Sequence, residues 1–496
     1  MFEAVELGRK VDRETWDRVT PGLRVDLLNA QFELRSADFP VLIVLSGDDR
    51  LGVDDTVNLL HEWLDVRYIE TFGLGAPTDE ERERPEFWRY WRTLPRRGRT
   101  AVYVGGWTLR AIRDRMGRRI KKVEFERALE RIRRFERALV DDGALVLKFW
   151  LHLPKDQHAR RVRQSRRDPE KAWRVDDVDR RLLRDYDEAM RVVEHALRRT
   201  STVEAPWIVV ESTDRRHRAL EIGRRVLESI QRRLHGTGEY RRADVAPDLT
   251  SHAESAGAER LVLDTVDLAA VVGREEYEGR FERAQAAVHR LSAEAVDRGV
   301  SSIVVLEGWD AAGKGGAIRR ISAALDARHY RVIPVSSPTE EELAHHYLWR
   351  FWMPLPRAGH IVLFDRSWYG RVLVERVEGY AREGQWRRAY EEINEFEEQL
   401  VEHGIVLLKL WLHISREEQA ARFEAREKTP YKKYKMTDED YRNRDRWRAY
   451  EQAVHDMVAR TSTEIAPWKL IAANDKRHAR VTAMESLRDA LEQRLR

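Results

Sequence analysis

An internal repeat divides this chain into two related halves, which match at a constant spacing of 261 residues. The two longest matches join FWRYW at 87–91 to LWRFW at 348–352, and LKFWLH at 147–152 to LKLWLH at 408–413. Shorter matches in the same register join 94–96 to 355–357, 205–207 to 466–468 and 216–217 to 477–478. Five matches at one spacing are not a chance likeness of tryptophan-rich helices, so the sequence predicts a duplicated domain.

The limits of the two domains follow from the composition of the segment between them. A chain of 496 residues is long enough for two domains that each bury a core. Between His235 and Ala258, Gly, Pro, Ser and Ala interrupt every periodic pattern. We therefore predict a first domain over 1–236, a linker over 237–257 and a second domain over 258–496.

Each half contains short β-branched runs separated by long amphipathic stretches such as 390–403. Runs this short are typical of buried strands rather than of helices. Strands that alternate with helices indicate a parallel sheet with both faces covered. The predicted strands are 41–45, 101–104, 145–151 and 207–210 in the first half, and 303–306, 361–364, 405–412 and 468–471 in the second.

A glycine-rich loop follows the first predicted strand of the second half and matches G-x-x-x-x-G-K. A helical pattern over 317–325 comes directly after it, and this order of elements is that of a phosphate-binding P-loop. Lys314 is expected to reach the transferred phosphate, whereas Gly315 stands where a metal-binding Ser or Thr usually follows. Asp310 inside the loop is therefore a candidate Mg²⁺ ligand. The other candidate loop residues are Gly308, Ala311, Ala312, Gly313 and Gly316.

The second predicted strand of the same half ends in FDRSWYGR at 364–371. A carboxylate at this strand tip is where a P-loop fold places a further Mg²⁺ ligand, so Asp365 joins Asp310 as a candidate for the metal. Arg366 is suited to bidentate contact with a phosphate. Ser367, Tyr369 and Arg371 are candidate nucleotide contacts.

A lysine-rich segment at 426–435 interrupts a chain in which arginine otherwise dominates. Its concentration of positive charge indicates a lid that closes over a polyanion. The candidate contacts to that polyanion are Arg426, Lys428, Lys432, Lys433 and Lys435.

Together, the repeat, the strands and these motifs predict the fold class α/β. The prediction is two tandem P-loop kinase-like domains, each a three-layer αβα domain with a parallel sheet, and a helical lid.

The first half lacks most of these chemical groups at the matching positions. Asp49 stands where Asp310 does, but Val53 replaces Lys314, and Val104 replaces Asp365. Gly105 stands opposite Arg366, and Gly106 stands opposite Ser367. In the matching lid segment, Asp168, Glu170 and Ala172 interrupt the charge of Arg167 and Lys171. Losing both the lysine and the carboxylate removes the stabilisation of a charged transition state. We expect the first half to be inactive and to serve as a structural or binding partner, or to extend a groove for a long anion.

Composition excludes several other classes of protein. The absence of cysteine excludes disulfides, cysteine-ligated zinc and a thiol nucleophile. The 90 basic residues nearly cancel the 86 acidic ones, which argues against a dedicated nucleic-acid binder. No apolar run is long enough for a membrane helix, and no signal peptide pattern is seen at the N-terminus. We expect a cytoplasmic protein that does not bind membranes, and the 16 tryptophans suggest a homo-oligomer.

These motifs resemble the polyphosphate kinase 2 family. The match rests on the loop at 308–316, on FDRSWY at 364–369, on the lysine-rich segment and on Asn474-Asp475-Lys476. The duplication resembles the two-domain class, whose members act as polyphosphate:AMP phosphotransferases. The resemblance implies transfer of the terminal phosphoryl group of inorganic polyphosphate to AMP, giving ADP in a reversible reaction with Mg²⁺, or Mn²⁺ as an alternative. It carries over the roles of Asp310, Lys314, Asp365 and Arg366, and of the lid lysines Lys428, Lys432, Lys433 and Lys435.

Two other functions fit parts of the pattern. An ATP-dependent nucleoside monophosphate kinase would share the fold but usually has a Ser or Thr after the loop lysine. A non-catalytic protein that binds polyphosphate would have no reason to retain in one half every group that the other half has lost. The expected small-molecule partners are polyphosphate and AMP or ADP. The phosphate donor, polyphosphate or ATP, distinguishes the polyphosphate:AMP phosphotransferase from the ATP-dependent kinase.

Overall fold

The protein, in a computed structural model that describes residues 1–167, 183–236, 261–428 and 444–496, contains two parallel five-stranded sheets. The strands run in the order β2-β3-β1-β4-β5 in the first half, and in the matching order β7-β8-β6-β9-β10 in the second. This equal topology is what a duplicated domain requires. The strands are β1 (Val41–Gly47), β2 (Ile69–Phe72), β3 (Thr100–Val104), β4 (Leu145–His152), β5 (Trp207–Glu211), β6 (Ser302–Gly308), β7 (Tyr330–Pro334), β8 (Ile361–Asp365), β9 (Val406–His413) and β10 (Trp468–Ala472).

Helices flank both sheets and confirm the predicted α/β class. Buried residues of the first and last helices of the first half pack together with those of β1 in one core cluster. The first-half helices are α1 (Arg13–Leu34), α2 (Arg50–Trp63), α3 (Asp79–Arg82), α4 (Trp88–Trp91), α5 (Thr108–Met116), α6 (Lys122–Asp141), α7 (Lys155–Arg167), α8 (Tyr186–Thr200) and α9 (Arg215–His235). Those of the second half are α10 (Arg274–Asp297), α11 (Lys314–Ser322), α12 (Glu340–Leu343), α13 (Trp349–Trp352), α14 (Val374–Val377), α15 (Glu383–Glu402), α16 (Arg416–Glu427), α17 (Trp447–Thr461) and α18 (Lys476–Leu495).

All eight predicted strands are present, with ends that differ by at most two residues. Two further strands, β2 and β7, pair with β3 and β8 at one edge of each sheet. The helix predicted over 317–325 begins earlier, because Gly313 turns the chain directly into α11 at Lys314. The predicted linker at 237–257 and most of the predicted lid lie outside the described residues.

The two compact units do not coincide with the two halves of the sequence. The unit that holds the second sheet also contains Pro77–Arg92 of the first repeat, and the unit that holds the first sheet also contains Ala344–His346. Within the second unit, Trp91 stacks on Trp352 with ring centroids 5.6 Å apart. Each unit is therefore completed by a short segment from the other repeat. None of the helices in the described ranges is long and apolar enough to cross a membrane.

Candidate active site

The glycine-rich loop of the second unit connects β6 to α11 at the carboxyl edge of the sheet. Its backbone needs glycine, because Gly308 has φ 145° and a Cβ there would lie 2.5 Å from the carbonyl oxygen of Leu412. Gly313, with φ 115°, occupies the N-cap of α11, and no side chain of the described residues caps this end. The first N–H groups of α11 thus point to a position that an anion can occupy.

Lys314, the first residue of α11, folds back over the loop. Its ammonium group donates hydrogen bonds to the carbonyl oxygens of Gly308, at 2.7 Å, and Trp309, at 3.3 Å. These bonds hold the lysine against the first residues of the loop. Its role in phosphate binding stays a prediction.

Asp310 and Arg366 meet across the site, with Arg366 Nη2 3.0 Å from Asp310 Oδ1. Arg366 follows β8, whose last residue Asp365 is in register with Leu306 of β6. Adjacent parallel strands therefore bring the ends of the two motifs together. Arg366 has φ 64°, in the left-handed region that favours glycine, so its position is maintained against a backbone cost of about 1–2 kcal/mol. Such strain is concentrated at functional sites.

A buried carboxyl group that the sequence reasoning missed lies beneath this cluster. Glu307 is 5% exposed, and its carboxylate accepts a hydrogen bond of 2.8 Å from Ser367 Oγ. Burial raises the pKa of Glu307, while the positive charges of Lys314 and Arg366 act in the opposite direction. In the sequence, Glu307 could have been identified as a candidate because it is an acidic residue at the end of an otherwise apolar run. No group of three or more metal-ligating side chains occurs among the described residues, so a metal here would rely on fewer protein ligands.

Two residues of α16 that the sequence did not indicate, Arg422 and Gln419, donate hydrogen bonds to the backbone of the loop. The guanidinium of Arg422 donates to the carbonyl oxygens of Ala311 and Ala312, both at 2.9 Å. It also donates to the carbonyl oxygens of Ala473, at 2.6 Å, and Asn474, at 2.9 Å. Gln419 Nε2 donates to the carbonyl oxygen of Asp310 at 3.1 Å. One buried arginine thus ties the loop to the segment after β10, and Gln419 fixes the backbone of Asp310.

Aromatic packing fixes the other side of the loop. The indole of Trp309 stacks on Trp447, with ring centroids 3.8 Å apart and planes 8° from parallel. Its Nε1 donates to Nδ1 of His413 at 2.9 Å. Burial lowers the pKa of His413 to about 4, which keeps the ring neutral and able to accept this bond at neutral pH. The loop is therefore held by packing, by Arg422 and by strand β6.

The three candidate nucleotide contacts have different surroundings. Tyr369 is fully buried, and its hydroxyl donates to Glu397 at 2.6 Å, beside the Glu397–Lys409 pair. This position does not support the expected nucleotide contact, because the side chain belongs to a core network. Ser367 is engaged by Glu307, as described above, and the half-buried Arg371 pairs with Glu375 at 3.0 Å.

The described part of the lysine-rich segment is small. Arg426 is half-buried near the end of α16, and the exposed Lys428 pairs with Glu424 at 2.5 Å, which raises the pKa of Lys428. Lys432, Lys433 and Lys435 lie outside the described residues. A cavity of about 510 Å³ in the second unit lies beside Ser301 and Ile405, at the amino ends of the strands, so it is not part of this site.

The matching loop of the first unit is filled by its own side chains. Asp49, only 2% exposed, accepts the N–H of Gly52 at 3.0 Å and so caps α2. Its second carboxylate oxygen accepts hydrogen bonds from Ser212 Oγ, Arg161 and Arg218. An internal carboxylate thus occupies the helix N-terminus that is uncapped in the second unit. The inactivity of the first copy stays a prediction.

Comparison with known proteins gives consistent results for both halves. The family model for Polyphosphate kinase 2 matches residues 10–237 and 271–496. A polyphosphate:AMP phosphotransferase of Pseudomonas aeruginosa is 47% identical over 99% of this chain and 99% of its own, and one of Pseudomonas syringae pv. tomato is 45% identical over 99% and 98%. A crystal structure from Pseudomonas aeruginosa PA01, described as polyphosphate kinase 2, has a TM-score of 0.89 at 45% identity and covers 100% of this chain and 99% of that one.

Proposed function

The chain belongs to the polyphosphate kinase 2 family, and on this premise we propose that it transfers the terminal phosphoryl group of inorganic polyphosphate to AMP, forming ADP. The observation that carries the proposal is the cluster of Lys314, Asp310 and Arg366 at an uncapped helix N-terminus. Its relatives over nearly the full length bear the name of this activity. Transfer between two phosphates needs positioning and charge neutralisation more than covalent chemistry.

The reaction proceeds by in-line attack. An oxygen of the AMP phosphate attacks the terminal phosphorus of the chain, and the bond from that phosphorus to the bridging oxygen breaks. The second pKa of a phosphate monoester is near 6, so the attacking oxygen is largely deprotonated at neutral pH and needs no general base. Asp310 therefore orients the reacting groups rather than removing a proton. Lys314, Arg366 and the first N–H groups of α11 offset the charge on the transferred group.

Two carboxylates suit a magnesium ion. Asp310 and Asp365 offer hard oxygen donors at the same edge of the sheet, and Mg²⁺ is commonly bound by one or two carboxylates together with substrate phosphates. This donor set fits Mg²⁺ or Mn²⁺ without a third protein ligand. When bound, the ion neutralises phosphate charge. The lid residues Arg426, Lys428, Lys432, Lys433 and Lys435 are proposed to contact polyphosphate.

The decisive experiment measures ADP formed from AMP with Mg²⁺ and long-chain polyphosphate in the absence of ATP. The wild type is expected to form ADP, whereas Lys314→Ala is expected to form none. Val53→Ala, at the matching position of the first copy, is the control and is expected to remain active. ADP formation with ATP but not with polyphosphate would instead support an ATP-dependent nucleoside monophosphate kinase.

We also propose a cytoplasmic location and a homo-oligomer. The tryptophans do not support the oligomer, because none of them is among the exposed large apolar residues of the described ranges. Light scattering on the purified protein measures the oligomeric state directly, and a monomeric mass would contradict this proposal.

A further inference from the structure

Positive charge is divided unequally between the two halves. Residues 1–236 contain 49 Lys and Arg against 42 Asp and Glu, a net charge of +7. Residues 261–496 contain 38 Lys and Arg against 39 Asp and Glu, a net charge of −1. The half with the catalytic residues is thus nearly neutral, although the proposed phosphate donor is a polyanion. The positive charge lies on the half that lacks them.

Much of this excess comes from one basic segment, residues 110–122. It contains seven Lys and Arg and a single acidic residue, Asp114. The matching residues of the second half, 371–383, contain three arginines and three glutamates, so they carry no net charge. The difference is therefore local and does not result from the arginine-rich composition of the whole chain.

The basic segment follows β3, and ligands of open α/β folds bind at the carboxyl ends of such strands. It covers most of α5, which follows β3, and continues through the turn into the start of α6. The side chains of Arg118, Arg119, Lys121 and Lys122 are exposed. Asp114 offsets little of their charge, because it is shared between Arg119, at 2.5 Å, and Arg110, at 3.7 Å.

The backbone at Arg118 provides an independent observation. Arg118 has φ 55°, in the left-handed region, whereas the matching residue of the second half is Gly379 with φ 77°. An arginine is thus retained where glycine would fit without strain. The reverse holds at the active site, where Arg366 has φ 64° and the matching residue is Gly105 with φ 80°. Among the residues that the structure describes, each copy therefore holds one arginine in the left-handed region, and in the second copy that arginine belongs to the proposed catalytic cluster.

The P-loop remnant of the first half is not the binding site, because Asp49 already occupies its helix N-terminus. A ligand of this half must instead bind at the exposed basic segment. The segment contains no aromatic residue on which a nucleic acid base could stack. Its chemistry therefore favours an anion that consists of phosphates alone.

We propose that the basic segment of the first half, through Arg118, Arg119, Lys121 and Lys122, binds internal phosphates of long-chain inorganic polyphosphate. This inference rests on the proposed function, which supplies the ligand. Attachment of the chain away from its reacting end raises the local concentration of chain ends near the protein. This attachment does not help a chain that is too short to contact the basic segment and the reacting site at the same time. The segment thus determines a preference for long polyphosphate.

The test is a fourfold variant, Arg118→Gly, Arg119→Gln, Lys121→Gln and Lys122→Gln, in the full chain. Glycine relieves the strained position, so folding is expected to be retained. Loss of four exposed charge contacts is expected to raise KM for long-chain polyphosphate about tenfold at low salt. KM for tripolyphosphate and KM for AMP are expected to stay close to their wild-type values.

The matched control removes four exposed charges from α1 and α9 of the same half, with Arg13→Gln, Arg18→Gln, Arg224→Gln and Arg225→Gln. An equal rise of KM in this control would show an effect of net charge and overturn the proposal. An equal rise for tripolyphosphate in the fourfold variant would overturn it as well.

Equilibrium binding separates this inference from the proposed function. Fluorescently labelled long-chain polyphosphate is titrated into Lys314→Ala protein, with and without the fourfold substitution. Loss of about tenfold in affinity supports the inference even if the wild type forms no ADP. Unchanged affinity, or displacement of the label by polyuridylic acid at lower phosphate concentration than by unlabelled polyphosphate, refutes it.

Discussion

Asp49 and Asp310 occupy matching positions in the two copies, and the structure predicts opposite results when each is replaced by asparagine. Asp49 is buried and its second carboxylate oxygen accepts from Ser212, Arg161 and Arg218. Asp310 faces the site, with 13% of its side chain exposed, and pairs with Arg366, which is 38% exposed. We expect Asp49→Asn to reduce stability and Asp310→Asn to reduce activity.

The magnitudes follow from burial. Asparagine has one carbonyl oxygen, so it can accept from Gly52 or from the arginines but not from both. Removing one partner of a buried ion pair costs about 3 kcal/mol, since the remaining charge is uncompensated. In a domain of this size, that loss lowers Tm by about 6–12 °C. At Asp310 the pair is more exposed and screened, so stability changes by less than about 1 kcal/mol. The rate of ADP formation falls about 10²-fold, because Asp310 no longer orients the reacting groups.

Calorimetry on the wild type and both variants measures Tm, and the polyphosphate-dependent formation of ADP measures the rate. Asp49→Asn is assayed well below its Tm and is expected to retain activity near that of the wild type. An unchanged Tm for Asp49→Asn would refute the assignment of Asp49 as the buried cap of α2. Wild-type activity in Asp310→Asn would refute the placement of the reaction at the second loop.

Three further perturbations test the support of the loop and the limits of the catalytic unit. Arg422→Lys is expected to lower kcat about 10–100-fold, because an ammonium group cannot span two loops as the guanidinium does; unchanged steady-state kinetics would contradict this. Burial lowers the pKa of His413 from 6.5 to about 4, so the unfolded chain binds more protons. The corresponding stability is present above pH 6.5 and is lost, by up to about 3 kcal/mol, as the pH falls towards 4; unfolding curves of His413→Asn should be flatter over this range, and equal pH dependence in both proteins would count against it. A chain limited to residues 261–496 lacks Pro77–Arg92 of its own compact unit and is expected to unfold at lower denaturant concentration than the full chain, whereas an equal or higher midpoint would show that this segment contributes nothing.

The eight strands predicted from the sequence are those in which burial produces a clear signal. All residues of β1 and β6 except the terminal glycine are buried, so the β-branched runs are uninterrupted. The two strands that were not predicted lie at sheet edges. In β7, Tyr330–Pro334, no residue is buried, and an arginine and the proline break any apolar run. Pairing with a single neighbour stabilises such a strand without requiring the hydrophobic pattern that sequence reasoning detects.

The residues of the candidate site divide in the same way. Lys314 and Arg366 were predicted because local motifs mark them and because adjacent parallel strands bring their loops together. Nothing local marks Arg422, one of 90 basic residues, since its role arises only when α16 packs behind the loop. The inclusion of Pro77–Arg92 in the second unit also depends on tertiary packing, and no periodic pattern records it.

Asp49 shows why a retained residue does not imply a retained function. The lysine that follows the active loop is replaced by Val53, which removes one positive charge beside the helix N-terminus. At the position that matches Ala479, the first copy has Arg218, which returns a positive charge from α9 and pairs with Asp49. At the position that matches Ala473 it has Ser212, which donates a further hydrogen bond to the same carboxylate. Asp49, which matches the candidate catalytic residue Asp310, is thus a buried cap, and Val53→Lys alone would place a lysine beside a carboxylate that two arginines already neutralise. Restoring phosphate binding in the first copy therefore requires changing Ser212 and Arg218 together with Val53.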